Sequence, residues 1–407
     1  MFDVLVIGAG PAGLYAADRL SARGFSVAIA DQMPSPARKF LMAGRGGLNL
    51  THSEDLEQFL TRYRDAESFL SPMIESFPPS ALVDWCHDLG QETFVGTSGR
   101  VFPKAMKASP LLRALLRRLQ ENGVRLLSRH AFTGLTDDGS ALIRSGSGEP
   151  ETVPARALLL ALGGASWPKL GSTAAWVPVL EKQGVKVTPF QPANCGFQVA
   201  WSDFLKDRFA GTPLKRIGLR IGGASAHGEA VASGKGLEGG AVYALSAEIR
   251  ETINNSGSAE LFIDLRPAIS TGDLAGKLSR PRGKQSQSTY LKKVLKLHPV
   301  ELALLRENGP LPENADGLAE RIKSVRVTCL ATYPIDRAIS SAGGIALDEV
   351  TSDLMLKKLP GVFTAGEMLD WEAPTGGYLL QACFATARRA ADGLMAYLTT
   401  NPSGKTS

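Results

Sequence analysis

The first thirty-one residues carry the pattern that most constrains the fold of this chain. Residues 4–7 form a short apolar run with the length and composition of a buried strand. Gly8, Gly10 and Gly13 follow it at once, in the spacing G-x-G-x-x-G. An Ala- and Leu-rich stretch then predicts a helix, and a second apolar run, which predicts another strand, ends at Asp31. These segments predict the strand–turn–helix–strand unit in which such glycines bind a dinucleotide.

Each part of this unit has a physical role in dinucleotide binding. Gly8 permits a tight turn, Gly10 lets a pyrophosphate approach the backbone, and Gly13 allows the helix to pack closely on the sheet. The helix N-terminus offers unpaired N–H groups and a partial positive charge to the phosphates. Asp31 accepts hydrogen bonds from ribose hydroxyls and repels a ribose 2′-phosphate, which predicts FAD or NAD at this site in preference to NADP.

Length and composition restrict the class of protein. A chain of 407 residues predicts two or three domains, and its 44% hydrophobic and 21% charged residues are ordinary for a globular enzyme. The formal net charge of +5 is dispersed, so we predict no nucleic-acid partner. The four cysteines have no C-x-x-C or zinc spacing, which predicts no metal site and reduced thiols in the cytoplasm. Apolar runs of about 18 residues are absent, so no membrane span is predicted.

A second glycine-rich unit stands about 350 residues after the first, where an apolar run at residues 362–365 precedes Gly366 and Glu367. The pair Gly376-Gly377 then precedes a predicted helix. We expect the N-terminus of this helix to face the other end of the same ligand and to stabilise negative charge on a reduced flavin ring. Glu367 is expected to bind the ribityl hydroxyls. The alternative interpretation is an ordinary strand–helix unit that caps the sheet.

The alternation of strands and helices stops near residue 189. Short strand-like segments between glycine-rich turns follow, and then a Lys-, Leu- and Glu-rich region. We therefore predict an α/β fold with three parts: a Rossmann-like FAD-binding domain (1–188 and 330–407), an inserted antiparallel β-barrel domain (189–269 and 323–329) and a small helical subdomain (270–322).

Several motifs spread over nearly the whole chain resemble those of one family. They are VLVIGAGPAGLYAA at 4–17, the segments 38–39 and 44–51, GRVFP at 99–103, ALGGASWPKLGST at 161–173, and PGVFTAGE at 360–367 with GGY at 376–378. In these motifs the chain resembles the BaiN-like (YhiN-like) bacterial NAD(P)/FAD-dependent oxidoreductases. The resemblance implies FAD, an inserted six-stranded barrel and a small helical piece.

The chain departs from that family in the segment 44–52. Arg45 replaces a glycine, Gly47 an arginine, Leu48 a cysteine and His52 an asparagine of the usual motif. These replacements indicate a divergent subgroup whose substrate need not be that of better-known members.

The motifs and the resemblance together define the residues expected to contact FAD, with adenosine at the first unit and flavin near residues 376–378. The expected cofactor-binding residues are Gly8, Gly10, Pro11, Ala12, Gly13, Asp31, Gln32, Arg38, Lys39, Gly46, Phe132, Gly163, Gly366, Glu367, Gly376, Gly377 and Tyr378.

Three residues are candidates for catalysis. Pro34 and Pro36 predict an irregular loop over residues 32–53, in which glycines flank Arg45 and would let it extend over the flavin. Asn49 is a polar group on the same loop. Tyr378 is expected to donate a proton to a carbanion after hydride transfer. The alternatives are a surface arginine and a packed tyrosine.

These observations predict an FAD-dependent oxidoreductase that transfers hydride at flavin N5 with a small organic substrate. The resemblance implies reduction of an activated carbon–carbon double bond. A second dinucleotide motif is absent from the sequence, so either NAD(P)H binds only transiently as electron donor or the electrons come from another source. A flavin-dependent tRNA-modifying protein and a non-catalytic FAD-binding module are the alternatives, the first because the pI is about 9.0. The sequence leaves the oligomeric state open.

Overall fold

The computed structural model describes residues 1–401, and of Arg45 it describes only the backbone. These residues form two compact units. The first contains residues 1–191 and continues from residue 340, and the second contains residues 192–339. The predicted insertion, residues 189–329, therefore begins slightly earlier and ends earlier than the unit in the structure.

A five-stranded parallel sheet forms the centre of the first unit. Its strand order is Val362–Thr364, Ala155–Leu160, Phe2–Ile7, Val27–Asp31 and Arg125–Ser128. Residues 4–7 of the middle strand are at most 1% exposed. Because both faces of such a sheet are covered, its strands are continuous apolar runs instead of alternating ones. This is why residues 4–7, 27–30 and 157–160 were recognisable in the sequence.

Two helices that lie far apart in the sequence pack against each other beside this sheet. The opening helix is Pro11–Ser21, with proline at its first position, where the missing N–H is not needed. The closing helix is Tyr378–Thr400 and begins after Gly377, whose φ is +110°. The rings of Tyr15 and Phe384 meet at 5.4 Å between these helices. The helices that follow the two predicted glycine-rich segments therefore belong to the same compact unit.

The first unit also contains further α-helices and two small antiparallel sheets. Its other α-helices are Arg38–Ala43, Leu56–Leu60, Glu67–Ser76, Pro79–Asp88, Ala108–Glu121 and Val177–Lys182. Two small antiparallel sheets are formed by Thr51–His52, Arg100–Pro103 and Thr93–Val95, and by His130–Leu135, Ala141–Ser145 and Pro150–Thr152. The chain leaves the unit through strand Val187–Ala193 and returns in strand Ser340–Ile345.

The prediction of an irregular loop over residues 32–53 is wrong for its middle part. Helix Arg38–Ala43 forms there, and a 3₁₀ turn, Gly44–Gly46, follows it. Ala37 adopts a left-handed conformation (φ 55°), which separates the helix from the preceding prolines. Residues 38–43 are good helix formers, and the buried side chain of Phe40 anchors them.

The second unit is a closed barrel with helices around it. The strands, in order around the barrel, are Phe197–Val199, Gly236–Glu238, Ala224–Ser233, Thr212–Ile221, Ala259–Asp264 and Val325–Thr332. The helices are Asp203–Phe209, Gly240–Ala244, Ser246–Ser256, Thr271–Leu278, Gln287–Leu295, Pro299–Arg306 and Ala315–Lys323. The six-stranded barrel and the mixed α/β fold class are thus confirmed. Barrel and helices share one hydrophobic core, so the helical piece is not a separate domain.

Within residues 1–401, no helix combines the length and the apolar character that crossing a membrane would require.

Candidate functional site

A cavity lies at the carboxyl end of the parallel sheet in the first unit. Its walls are segments that directly follow four of the strands, residues 8–12, 31–33, 161–163 and 365–367. Ligands of open α/β sheets bind at this edge, where loops leave the strands. The cavity therefore has the position expected of a small-molecule or cofactor site.

The three glycines of the opening turn differ in what a side chain would meet. A Cβ atom on Gly8 would lie 2.3 Å from the carbonyl oxygen of Ala161, and one on Gly13 would lie 2.0 Å from that of Gly8. Packing alone therefore requires those two glycines. A Cβ on Gly10 would meet nothing within 4 Å, although Gly10 lines the cavity. The protein's own packing therefore does not require a glycine at position 10, and the space beside it is open toward the cavity.

The N-terminus of the opening helix borders the same space. Gly10 is its N-cap, no side chain caps it, and Gly10, Pro11 and Ala12 all line the cavity. Free N–H groups at the start of a helix, together with its dipole, attract phosphate. This arrangement suits the pyrophosphate of a dinucleotide.

Asp31 is fixed in place at the tip of the second strand of the unit. Its Oδ2 accepts the N–H of Ala9 at 2.7 Å, and its Oδ1 accepts the N–H of Met33 at 2.7 Å. Burial raises the pKa of Asp31, while these two hydrogen bonds act in the opposite direction. Each carboxylate oxygen keeps a second acceptor position for a ribose hydroxyl. Next to it, Gln32 donates to the carbonyl oxygen of Gly171 at 2.8 Å.

Lys39 and Glu367 contact each other inside the cavity. Lys39 Nζ lies 2.7 Å from Glu367 Oε2 and donates to Ser166 Oγ at 2.6 Å. Glu367 Oε1 accepts the N–H of Ser341 at 3.0 Å. The two residues, both expected from the sequence to bind the cofactor, thus form an ion pair. This pair holds the ammonium of Lys39 and the carboxylate of Glu367 at the cavity surface.

Most of the predicted cofactor-binding residues line this one cavity: Gly8, Gly10, Pro11, Ala12, Asp31, Gln32, Arg38, Lys39, Phe132, Gly163, Gly366 and Glu367. The others do not line it: Gly13, Gly46, Gly376, Gly377 and Tyr378. Sequence reasoning missed further lining residues, among them Ser172, Thr173, Trp176 and Cys383. Ser172 and Thr173 belong to the motif at 161–173. That motif was recognised in the sequence, but these two residues were not assigned to the cofactor.

The predicted flavin end is built around the start of the closing helix. A Cβ on Gly377 would lie 2.5 Å from Thr51 Cα, so the helix start rests directly on the backbone of Thr51. The hydroxyl of Thr51 and the Oδ1 of Asn49 are buried and have no hydrogen-bond partner among the described residues. Buried polar atoms are nearly always paired, and unpaired ones indicate a ligand or ordered water. Together with the open space beside Gly10, these atoms show that the residues present fit FAD.

The three catalytic candidates occupy different surroundings. Asn49 precedes Thr51 by two residues, and its Oδ1 is buried. The side chain of Arg45 lies outside the described part of the chain. Tyr378 is only 5% exposed, and its hydroxyl donates to the carboxylate of Glu54. Burial raises the pKa of Tyr378, and the hydrogen bond to Glu54 raises it further.

Comparison with known proteins agrees with this architecture. The family model described as HI0933-like protein Rossmann domain matches residues 2–393. A 3-dehydro-bile acid delta(4,6)-reductase of Clostridium scindens is 26% identical, over 94% of this chain and 96% of its own length. A ribosomal RNA dihydrouridine synthase of Escherichia coli is 24% identical, over 97% of this chain and 98% of its own length.

A solved structure has the same fold. It is a 3-ketosteroid delta1-dehydrogenase from Sterolibacterium denitrificans, with a TM-score of 0.53, 14% identity, and coverage of 97% of this chain and 99% of that one. The family match confirms the resemblance found in the motifs and the prediction of an FAD-binding Rossmann fold. The chain therefore belongs to the HI0933-like family of FAD-binding oxidoreductases with a Rossmann fold.

Proposed function

We propose that this protein uses FAD to reduce a carbon–carbon double bond conjugated to a carbonyl group in a small organic substrate. The observation that carries the proposal is that one cavity is lined by both Asp31 and Glu367. These residues are the ones expected at the adenosine ribose and at the ribityl chain. A single extended FAD would account for both.

The reaction class follows from chemistry that the named relatives share. A 3-dehydro-bile acid delta(4,6)-reductase reduces a double bond in a ketone, and a dihydrouridine synthase produces dihydrouridine. The double bond that uracil loses in forming dihydrouridine is also conjugated to a carbonyl. In both cases hydride adds to the carbon distal to the carbonyl, and a proton adds to the proximal carbon. We assign this class to the present chain and leave the carbon skeleton of the substrate open.

The residues of this chain bind and orient the reactants. The opening helix holds the pyrophosphate, Asp31 holds the ribose, and Glu367, supported by Lys39, holds the ribityl chain. When bound, FAD supplies hydride transfer at N5. Arg45 and Asn49 are proposed to face the substrate and to orient its carbonyl, whose growing negative charge favours nearby donors. NAD(P)H from solution is the proposed source of the electrons.

An anaerobic reoxidation experiment tests the proposal. The flavin of the purified protein is first reduced with NADH or NADPH. The reduction is followed by the loss of flavin absorbance. A conjugated enone of the 3-oxosteroid type is then added, with the saturated ketone of the same skeleton as matched control. We expect the enone, and not the saturated ketone, to restore the oxidised spectrum and to yield the reduced product. Equal rates with the two compounds, or none with any of a panel of enones, would contradict the proposal.

A second candidate substrate is a uridine within RNA. It is favoured by the full-length similarity to a ribosomal RNA dihydrouridine synthase. The sequence analysis had kept tRNA modification as an alternative class. Incubating the reduced protein with ribosomal RNA, and measuring dihydrouridine by mass spectrometry after digestion, distinguishes this substrate from a small ketone. Free uridine serves as the control for reactivity that does not depend on RNA.

A further inference from the structure

A cluster of polar and aromatic side chains forms around the first residue of the closing helix. We call it the Tyr378 cluster; it comprises His52, Glu54, Phe59, Arg62 and Tyr378. Glu54 Oε2 accepts from Arg62 Nη2 at 2.6 Å, and Glu54 Oε1 accepts from Arg62 Nε at 3.2 Å. The same Oε1 accepts the hydroxyl of Tyr378. A two-pronged arginine contact thus fixes the carboxylate that receives the phenol.

Aromatic contacts and a backbone hydrogen bond hold Tyr378 on its other sides. The ring of Phe59 lies 4.8 Å from the ring of Tyr378, and the imidazole of His52 stacks on it at 5.5 Å and 21°. Tyr63, which is 1% exposed, donates its hydroxyl to the carbonyl oxygen of Tyr378 at 2.8 Å. Every part of Tyr378 is therefore held by the segment 52–63.

His52 also holds the backbone of Glu54 through one of its ring nitrogens and contacts Ser98 through the other. His52 Nδ1 lies 3.1 Å from the N–H of Glu54, which it accepts, and Nε2 lies 2.9 Å from the carbonyl oxygen of Ser98. Because Nδ1 accepts, Nε2 must carry the proton and donate to Ser98. Gly99, with φ +77°, leaves the space for this ring, since a Cβ there would lie 2.5 Å from His52 Cε1.

The charges in the cluster disfavour release of the Tyr378 proton. Burial alone would raise the pKa of Glu54, but hydrogen bonds from Arg62 and Tyr378 outweigh it and lower that pKa. Glu54 is therefore a carboxylate. If Tyr378 gave its proton to a substrate, a phenolate would form in hydrogen-bond contact with that carboxylate, and two like charges would face each other in a partly buried site.

We propose that Glu54 is a positioning residue that acts through Tyr378. By holding Tyr378, it fixes the N-terminus of the closing helix on Thr51, and it thereby sets both FAD affinity and the midpoint potential of the bound flavin. The inference rests on the proposed function for the use of FAD, and on the sequence analysis for the position of the flavin ring at this helix start. It assigns Tyr378 to positioning, in place of the proton donation expected from the sequence.

A double-mutant cycle on cofactor binding tests this inference without any substrate. The variants are E54A, Y378F and E54A/Y378F, and FAD is titrated into the apoprotein while its fluorescence is followed. We expect each single variant to weaken FAD binding by about five- to tenfold, and the double variant to be no weaker than the worse single one. The midpoint potential should become more negative in all three, because a displaced helix N-terminus stabilises the reduced flavin less.

Two further variants serve as controls. E54Q keeps an oxygen that accepts from Tyr378, so its FAD affinity should lie closer to wild type than that of E54A. Glu92 pairs with Lys104 in the same way at 2.5 Å, but both side chains are more than 60% exposed. E92A should therefore bind FAD as the wild type does.

Additive effects of E54A and Y378F would overturn the inference. So would a Y378F variant that binds FAD with wild-type affinity and potential but whose reduced flavin is no longer reoxidised by substrate, since that result identifies a proton donor. If no conjugated carbonyl compound reoxidises the wild-type protein, the proposed function fails while this cycle still gives its answer. If E54A does not fold, the comparison of E54Q, Y378F and their combination replaces it.

Discussion

At the scale of single residues, the opening motif contains glycines of two kinds. Gly8 and Gly13 are required because a Cβ atom would strike a backbone oxygen. Gly10 is required by nothing in the protein itself, because the space around its Cβ position is free of protein atoms. The first and third glycines of the motif thus meet a packing requirement, and the middle one is left for the proposed binding of the pyrophosphate. The distinction predicts different phenotypes for substitutions only three residues apart.

We expect G10E to abolish FAD binding while leaving the fold intact. The carboxylate would occupy the space offered to a pyrophosphate and repel it, whereas the unfolding free energy of the apoprotein should change by about 0.5 kcal/mol or less. G13A is the matched comparison and should lose stability, because its Cβ has no room. Flavin absorbance after purification and chemical denaturation of the apoproteins measure the two effects. A yellow G10E protein would show that the pyrophosphate does not lie there.

Asp31 leads to a prediction about how the unfolding free energy depends on pH. Burial raises the pKa of Asp31 above its ordinary value of 3.8, so the folded state holds a proton that the unfolded state has already released. As pH rises from 3.8 through that raised pKa, the contribution of Asp31 to the unfolding free energy of the wild-type apoprotein should fall relative to D31N. D31N cannot ionise and should not show this loss. Urea unfolding of both apoproteins at several pH values between 3.5 and 6 compares them, and parallel curves would contradict the assignment.

At the scale of elements, the start of the closing helix depends on the close contact between Gly377 and the backbone of Thr51. Gly377 has a φ of +110°, and a Cβ there would lie 2.5 Å from the backbone of Thr51. G377A should therefore cost roughly 1–3 kcal/mol of unfolding free energy and also weaken FAD binding. G276A, inside helix Thr271–Leu278, meets nothing within 4 Å and should stabilise the protein by about 0.5–1 kcal/mol. Equal effects of the two alanines on denaturation would exclude a special role for Gly377.

Elements were predictable from the sequence where their determinants are local. The strand, turn and helix of residues 2–31 lie side by side in the chain, and the barrel followed from closely spaced strands and the family resemblance. Helix Arg38–Ala43 was missed because two prolines dominated the interpretation of the segment before it. The Tyr378 cluster could not be predicted, because Glu54 and Tyr378 are 324 positions apart and no local pattern joins them. Cavity residues such as Cys383 depend on the same long-range packing.

At the scale of the whole molecule, the two units have separate hydrophobic cores. A ligand held only by the first core should stabilise that core most, by about 2.7 kcal/mol at a free concentration one hundred times its Kd. We therefore expect FAD to slow hydrogen exchange in strands Phe2–Ile7 and Val27–Asp31 more than in barrel strand Thr212–Ile221. Exchange followed by mass spectrometry, with and without FAD, measures this. Equal slowing in both units would mean that the cores open together.

The cavity is closed by segments that the ribosome makes far apart in time. Residues 8–12 form one wall, and residues 365–367 and 383 form another. The pairing of Val362–Thr364 with Ala155–Leu160 also waits for more than half of the chain to be synthesised. A nascent polypeptide can carry a complete glycine turn for most of its synthesis and still be unable to retain the cofactor. We therefore expect stable flavin loading only after residues 365–383 have been synthesised and have packed against the opening segment.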